Sequence, residues 1–406
     1  MIPMRTSLDL DLLSKITYLT GSVDVVEKLS YVAAKAPFDD AVVEFLNETS
    51  RIIMAKKAAK QYSDVITFAF WIRKASVLKL KERFASNPES IRLGKGVVFH
   101  VSPSNVPVNF AYSMVSGLLA GNANIVRVPS KEFEQVSIIV DAFNEALDNY
   151  PDLKPYIVLV RYGHEKEIND VFSSIANMRV VWGGDETIAE LRKSPLPPRS
   201  GEITFADRYS FAIIDSDTYL ALPDKRKVAE DFYNDTFFSD QNACTSPRLI
   251  VWTGASINAA KDDFWEQVHT YVKKKYTLQP VQSVNKLTSS CLVAVTVPGS
   301  KVVDHKDNLV IRVAVPYVSS SLMDYKDNSG FFFEYDCKNI VALQDLCNDV
   351  RCQTIAYIGD DSAVLSLIQA GVRGVDRIVP MGKTMDFDLI WDGYNLLEIL
   401  SRTIVS

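Results

Sequence analysis

From Gly94 onward, short apolar runs alternate with longer amphipathic stretches, and few folds accept that pattern. Val97, Val98, Phe99 and Val101 read as a buried strand, SPSNVP (102–107) as a loop, Val108 to Leu119 as a helix and ANIVRV (123–128) as a second strand. That is a β-α-β unit. The period continues through a helix near Glu134 to Leu147, the strand YIVLVRY, a helix near Glu165 to Ser174 and the strand MRVVWGG. Strands joined this way lie parallel with helices covering both faces, so the alternation predicts an open parallel sheet.

Upstream, residues 9 to 85 read as helices. In DVITFAFWIRKASVLKLKERF (64–84), Val65, Phe68, Ile72 and Ala75 share one face at helical spacing, and Asn87 and Pro88 stop the run. Downstream, the proline-bearing LRKSPLPPRSGEITF (191–205) predicts a boundary. After it come the strand FAIID, a helix over Lys225 to Phe237, a polar corner at Cys244, the strand RLIVW and a helix over Ala259 to Lys275. The runs SCLVAVTV, LVIRVAV, IVALQ and IAYIG read as further strands. A chain of 406 residues exceeds what one core usually organises. Two similar open-sheet domains are expected. The first takes residues 1–205, a helical N-terminal segment included, with 381–406 returning to it; the second, 206–380, carries Cys244.

Lys and Arg number 44 against 50 Asp and Glu, a net charge of −6, and the basic residues are scattered. Nucleic acid is therefore excluded as an expected partner. The five cysteines (244, 291, 337, 347 and 352) are an odd set without a CxxC pair, which predicts reduced thiols in a cytoplasmic setting. MIPMRTSLDLDLLSK lacks the signal-peptide pattern, and no apolar run approaches the ~18 residues of a membrane span. Four histidines without HExxH or Cys/His ligand spacing predict no metal site.

Ligands of open α/β sheets bind beyond the carboxyl ends of strands, where SPSNVP and WGGDE lie. The dinucleotide fingerprint GxGxxG is absent. Gly183 and Gly184 permit backbone to approach a phosphate, or simply form a turn. In NIVRVPSK, Arg127 and Lys131 flank Ser130, which suits a phosphate monoester or a solvated strand end. Asn105 is caged by Pro103 and Pro107; a rigid amide there is either an oxyanion donor or a turn asparagine. Cys244 alone among the cysteines sits in a loop of small polar residues, and is a candidate nucleophile or a buried bystander.

Taken in order, DVITFAFWIRKAS, HVSPSNVPVNF, GLLAGNANIVRVPSK, WGGDE, FSDQNACTSPRLIVW and GVDRIVPMGKTMDFDLIWDGYNL resemble the aldehyde dehydrogenase superfamily. The chain resembles more closely the acyl-CoA reductase family, typified by the fatty acid reductase subunit of bacterial bioluminescence. The resemblance implies an aldehyde dehydrogenase-like α/β fold of two Rossmann-like domains, with Cys244 as nucleophile and Asn105 as oxyanion donor. It assigns cofactor contacts to Ser102, Pro103, Arg127, Ser130, Lys131, Gly183 and Gly184. Ser130 stands where NAD-preferring relatives often carry a ribose-binding glutamate, so NADPH is expected, with Arg127 or Lys131 pairing its 2′-phosphate. The general-base glutamate of hydrolytic relatives is replaced by Thr204, which leaves Glu202, two residues away, as the candidate base. The implied reaction is NADPH-dependent reduction of a long-chain acyl thioester to the aldehyde. The implied donor is acyl-CoA or a protein-bound acyl group, with an acyl-activating synthetase as partner and a homo-oligomeric enzyme. The alternatives are an aldehyde dehydrogenase working oxidatively with NAD(P), a cofactor-free cysteine acyltransferase or thioesterase, and a non-catalytic scaffold.

Overall fold

The computed structural model describes residues 9–84, 91–303, 306–325 and 327–405. The helix stop expected at Asn87 and Pro88 lies outside them. The chain divides into two compact units, Met1–Ala206 with Tyr394–Ser406, and Asp207–Gly393. Residues 381–393, expected with the first unit, group with the second. There the buried Asp235 side chain accepts the Gly382 N–H at 2.6 Å and the Thr384 N–H at 3.1 Å, which ties this segment down.

In the first unit the strands are β1 (Thr17–Thr20), β2 (Ile91–Gly94), β3 (Val97–Val101), β4 (Ala123–Arg127), β5 (Ile157–Arg161), β6 (Met178–Trp182) and β7 (Gly201–Phe205). Six of them form a sheet in the order β1-β5-β4-β3-β6-β7, parallel except for β1, which runs antiparallel to β5. Every residue of β3, β4 and β6 is buried, the signature of strands covered on both faces. The order reverses at β3: the chain winds outward through β4 and β5, then returns to lay β6 on the other side of β3. Beyond the carboxyl ends of β3 and β6 this leaves the crevice where such sheets take ligands. β2 pairs instead with the C-terminal strand Ser401–Ile404.

The stretch read as one helix over 64–84 is two, Ser63–Trp71 and Lys74–Arg83. Arg73 adopts an extended conformation (ψ 144°), which breaks the helical phase. Val65, Phe68 and Ile72 are buried as expected, but Ala75 is exposed, and Val77 and Leu80 take over the inward face. Thr17–Thr20 is a strand within a region read as wholly helical.

The second unit holds β8 (Tyr209–Asp215), β9 (Pro247–Thr253), β10 (Lys301–Val302), β11 (Ile311–Ala314), β12 (Phe331–Asp336), β13 (Cys352–Ile358) and β14 (Arg377–Pro380). They form one sheet, β10-β11-β12-β9-β8-β13-β14, parallel apart from the edge strand β10. Alternate residues of β9 serve two cores: Leu249 and Val251 on one face, Ile250 and Trp252 on the other.

Three readings change here. SCLVAVTV is not a strand: it contributes the end of the helix Pro280–Thr296, which is started by Pro280 and a capping box of Gln279 and Gln282. IVALQ forms a 3-10 turn, Ile340–Leu343, leading into the helix Gln344–Asn348. The strand Phe331–Asp336 was not anticipated at all.

Candidate functional site

In the first unit, register places Val101 opposite both Arg127 and Val181, so the loops after β3, β4 and β6 leave the sheet side by side. Ser102, Pro103, Asn105, Arg127, Ser130, Lys131, Gly183 and Gly184 are thereby brought to one edge. Asn105 is exposed, as are Ser130 and Lys131. The Ser102 hydroxyl is buried without a hydrogen-bond partner, and so is the Asn109 side-chain oxygen. The helix Asn109–Leu119 begins without a side-chain cap; its Asn109 and Ala111 N–H groups donate to the Val106 and Val108 carbonyls. This edge therefore holds unspent donors and acceptors.

Arg127 is not among them. Its guanidinium packs over the Tyr162 ring with 4.8 Å to the centroid and donates to the Gly163 carbonyl, so it is committed inward. Gly184 precedes the helix Asp185–Leu191, whose first turn carries Asp185 and Glu186. Under the edge lies a buried polar chain. Trp182 Nε1 donates to Ser113 Oγ at 2.9 Å, Ser113 Oγ meets His100 Nδ1 at 2.7 Å, and His100 Nε2 meets Asn124 Oδ1 at 3.0 Å. Complete burial pushes His100 down to about 4, which keeps the ring neutral at pH 7.

Glu202 sits in β7 with both carboxylate oxygens engaged. Oε2 accepts from Arg179 Nε at 2.7 Å, and Oε1 accepts from Arg192 Nε at 2.8 Å. Arg179 is buried and also donates to Ser173 Oγ and to the Ser194 carbonyl. The carboxylate is spent on holding two guanidinium groups.

In the second unit the chain leaves the helix Lys225–Asp235, makes one 3-10 turn over Phe237–Ser239 and passes through Asp240 and Gln241, both at positive φ (52° and 58°). Two consecutive left-handed non-glycine residues persist only where their surroundings hold them. Gln241 is fully buried and does so: its Nε2 donates to the carbonyls of Pro247 and Phe331, both at 3.0 Å, and its Oε1 accepts from the N–H groups of Gly330 and Phe331. One amide thus pins the Cys244 loop to the amino ends of β9 and β12.

Cys244 follows, at the amino end of β9. Its carbonyl accepts from Ser210 Oγ at 2.8 Å, and Ser210 Oγ accepts from the Thr354 N–H at 3.2 Å. Burial pushes the Cys244 thiol up; the Arg208 backbone N–H opposes this, Asp392 adds to it, Arg248 opposes it and Asp207 adds to it. The Arg248 Nε is itself buried without a hydrogen-bond partner. Burial raises Asp392 to about 6, while Gln353 and Arg208 pull the other way. Of the other cysteines, 337, 347 and 352 are buried, and Cys291 is exposed on the helix Pro280–Thr296 rather than at a strand start.

Sequence reasoning did not single out Gln241, Arg208, Ser210 or Arg248. Asp392 lies within the WDG stretch of the family resemblance but carried no role. Gln241 and Arg248 sit within four residues of Cys244, so the polar loop itself was the available signal. Arg208, Ser210 and Asp392 lie 34 to 148 residues away in sequence and are brought near by the parallel strand order.

A family model described as acyl-CoA reductase (LuxC) matches residues 32–291. The chain belongs to this family. Among curated relatives, this LuxC-family chain is 26% identical over 181 residues to long-chain acyl-protein thioester reductase 2 of Photobacterium leiognathi, covering 44% of this chain and 36% of that one. It is 24% identical over 290 residues to the long-chain acyl-protein thioester reductase of Vibrio harveyi, covering 71% of this chain and 59% of that one. The chain thus spans between about a third and three fifths of the length of these two relatives. Among solved structures it resembles lactaldehyde dehydrogenase (TM-score 0.64, 12% identity, 91% of this chain and 87% of that one). It also resembles glyceraldehyde-3-phosphate dehydrogenase GapN of Methanocaldococcus jannaschii, complexed with NADP (TM-score 0.63, 13% identity, 94% and 92%). The LuxC-family fold here is aldehyde dehydrogenase-like, as the sequence resemblance implied. No helix among the described residues is long and apolar enough to cross a membrane.

Proposed function

We propose that the chain reduces a long-chain acyl thioester to the aldehyde with NADPH, through a covalent acyl thioester on Cys244. The observation that carries this reading is the Cys244 loop. A cysteine at a strand's amino end, in a loop held by Gln241 and Ser210, with a backbone N–H that favours its ionised form, suits a nucleophile's role. Membership of the acyl-CoA reductase family and relatives named as acyl-protein thioester reductases support it. Those names favour a protein-bound acyl donor, with acyl-CoA as the simpler substitute, and a partner that activates the acyl group. We assign the enzyme to the cytoplasm, as a homo-oligomer.

The Cys244 sulfur, after losing its proton, attacks the acyl carbonyl carbon, and the donor's thiol leaves once the carbonyl re-forms. Asn105 is assigned the oxyanion contact, a donor worth about 3 kcal/mol in acyl transfer. The residues of the first unit's carboxyl edge fit a dinucleotide: the Ser102 hydroxyl lacks a partner, and Ser130 and Lys131 are exposed. A nicotinamide held there by Ser102, Pro103, Ser130, Lys131, Gly183 and Gly184 would supply the hydride. Arg127 supports this edge from beneath, and the 2′-phosphate falls to Lys131. Glu202, bound by two arginines, acts as a structural anion, so no carboxylate is assigned to activate water and hydrolysis of the acyl group is disfavoured.

The test is NADPH oxidation with long-chain acyl-CoA and with an acylated carrier protein, wild type beside Cys244→Ala, repeated with NADH. Cys244→Ala is expected to lose acyl labelling and at least a thousandfold of the reduction. A variant that still reduces the substrate would end the assignment of Cys244.

A further inference from the structure

The start of β8 bears directly on Cys244, and one side chain holds it in place. The Arg208 backbone N–H favours the ionised Cys244 sulfur, and two residues on, Ser210 Oγ donates to the Cys244 carbonyl at 2.8 Å. The Arg208 side chain reaches the neighbouring strand ends. Its guanidinium donates to Asp376 Oδ2 at 2.5 Å, to the Cys352 carbonyl at 2.9 Å and to the Arg351 carbonyl at 3.3 Å, with Asp392 Oδ2 4.0 Å away. These anchors stand at the starts of β13 and β14 and in the segment after them, so a single fork fastens three parts of the sheet's amino edge.

We propose that Arg208 is a positioning residue for Cys244: its guanidinium, gripped by Asp376 and the Cys352 carbonyl, fixes the start of β8, from which Ser210 Oγ holds the Cys244 carbonyl. This rests on Cys244 being the nucleophile. A planar guanidinium with several donors in fixed directions satisfies a carboxylate and two carbonyls at once, which an ammonium does not. The N–H at the start of β8 favours negative charge on the sulfur. The charged groups facing the sulfur are Asp207, before β8, Arg248 in β9 and Asp392. Arg248 alone among them opposes burial.

Charge and positioning predict opposite signs at Asp376. If that carboxylate acted only through space, Asp376→Asn would remove an anion and ease ionisation of Cys244. If it acts by holding Arg208, the same change loosens the N–H and makes ionisation harder. The experiment is peptide-resolved iodoacetamide labelling of Cys244 across pH in full-length Asp376→Asn and Arg208→Lys, with Cys291 as an internal reference. Both variants are expected to label Cys244 about tenfold more slowly at neutral pH, with the midpoint moved to higher pH and Cys291 unchanged. An Asp376→Asn midpoint that stays or falls overturns the proposal. Should Arg208→Lys not fold, Asp376→Asn decides alone. Labelling needs neither acyl donor nor NADPH, so a wild type that reduces no acyl substrate leaves this test standing.

Discussion

The two sheets use opposite ends. The first unit gathers its candidate ligand residues at the carboxyl ends of β3, β4 and β6, and leaves the Ser102 hydroxyl and the Asn109 side-chain oxygen there unpartnered. The second unit sets Cys244 at the amino end of β9 and ties its loop with Gln241, Ser210 and the anchored Arg208. On the proposed function, the contrast follows from what each edge would do. A binding edge needs open donors that a ligand will satisfy; a nucleophile needs a fixed approach, since misplacement by about 1 Å costs on the order of a hundredfold in rate.

The strongest way to break this comparison is to loosen the tied edge. Gln241→Ala would leave two carbonyls and two N–H groups buried without partners, at about 1–3 kcal/mol each. Urea unfolding should show a loss of about 4 kcal/mol or more, and reductase activity should fall at least a hundredfold. If stability and activity both survive, the loop is not held as described.

The buried titrating groups sharpen the comparison through pH. In the first unit, His100 is lowered to about 4 by burial, so between pH 4 and about 6.5 the unfolded chain binds the extra proton and stability falls as pH falls, by up to about 3 kcal/mol. In the second unit, Asp235 is raised to about 7 by burial. Between about pH 4 and 7 the folded state holds the extra proton, and stability falls as pH rises, by up to about 4 kcal/mol. Subtracting the stability profiles of His100→Gln and Asp235→Asn from that of the wild type should give slopes of opposite sign. Equal signs would remove the distinction.

Glu202→Gln is expected to have the smallest effect on the reaction. Buried Arg179 would lose its carboxylate, costing about 2 kcal/mol of stability, while turnover per folded molecule stays within about twofold. A hundredfold loss of turnover with intact folding would restore Glu202 as a base and give the first unit a chemical role.

The first unit was largely legible because its strands are short, wholly buried, mostly apolar and separated by amphipathic helices. The second misled at SCLVAVTV and IVALQ, apolar runs too short for periodicity to tell a strand from a buried turn of helix. Pro280 and the Gln279/Gln282 cap, ten residues upstream of SCLVAVTV, carried the correct signal. The corner at Cys244 was legible because its residues are small and polar. Arg127 read as a phosphate ligand because sequence shows a charge but not its direction; Tyr162 and Gly163, 35 and 36 residues on, turn it inward. Arg208 and Asp376 share only the geometry of parallel strands, which no local pattern announces.

Burial of the Cys244 thiol also bears on the protein's durability. Peroxides attack thiolates, not thiols, so a sulfur kept protonated while idle is a slow target for oxidation to sulfenic and sulfinic acids. If Cys244 is the nucleophile proposed above, the shift that slows its oxidation also makes it wait for a substrate.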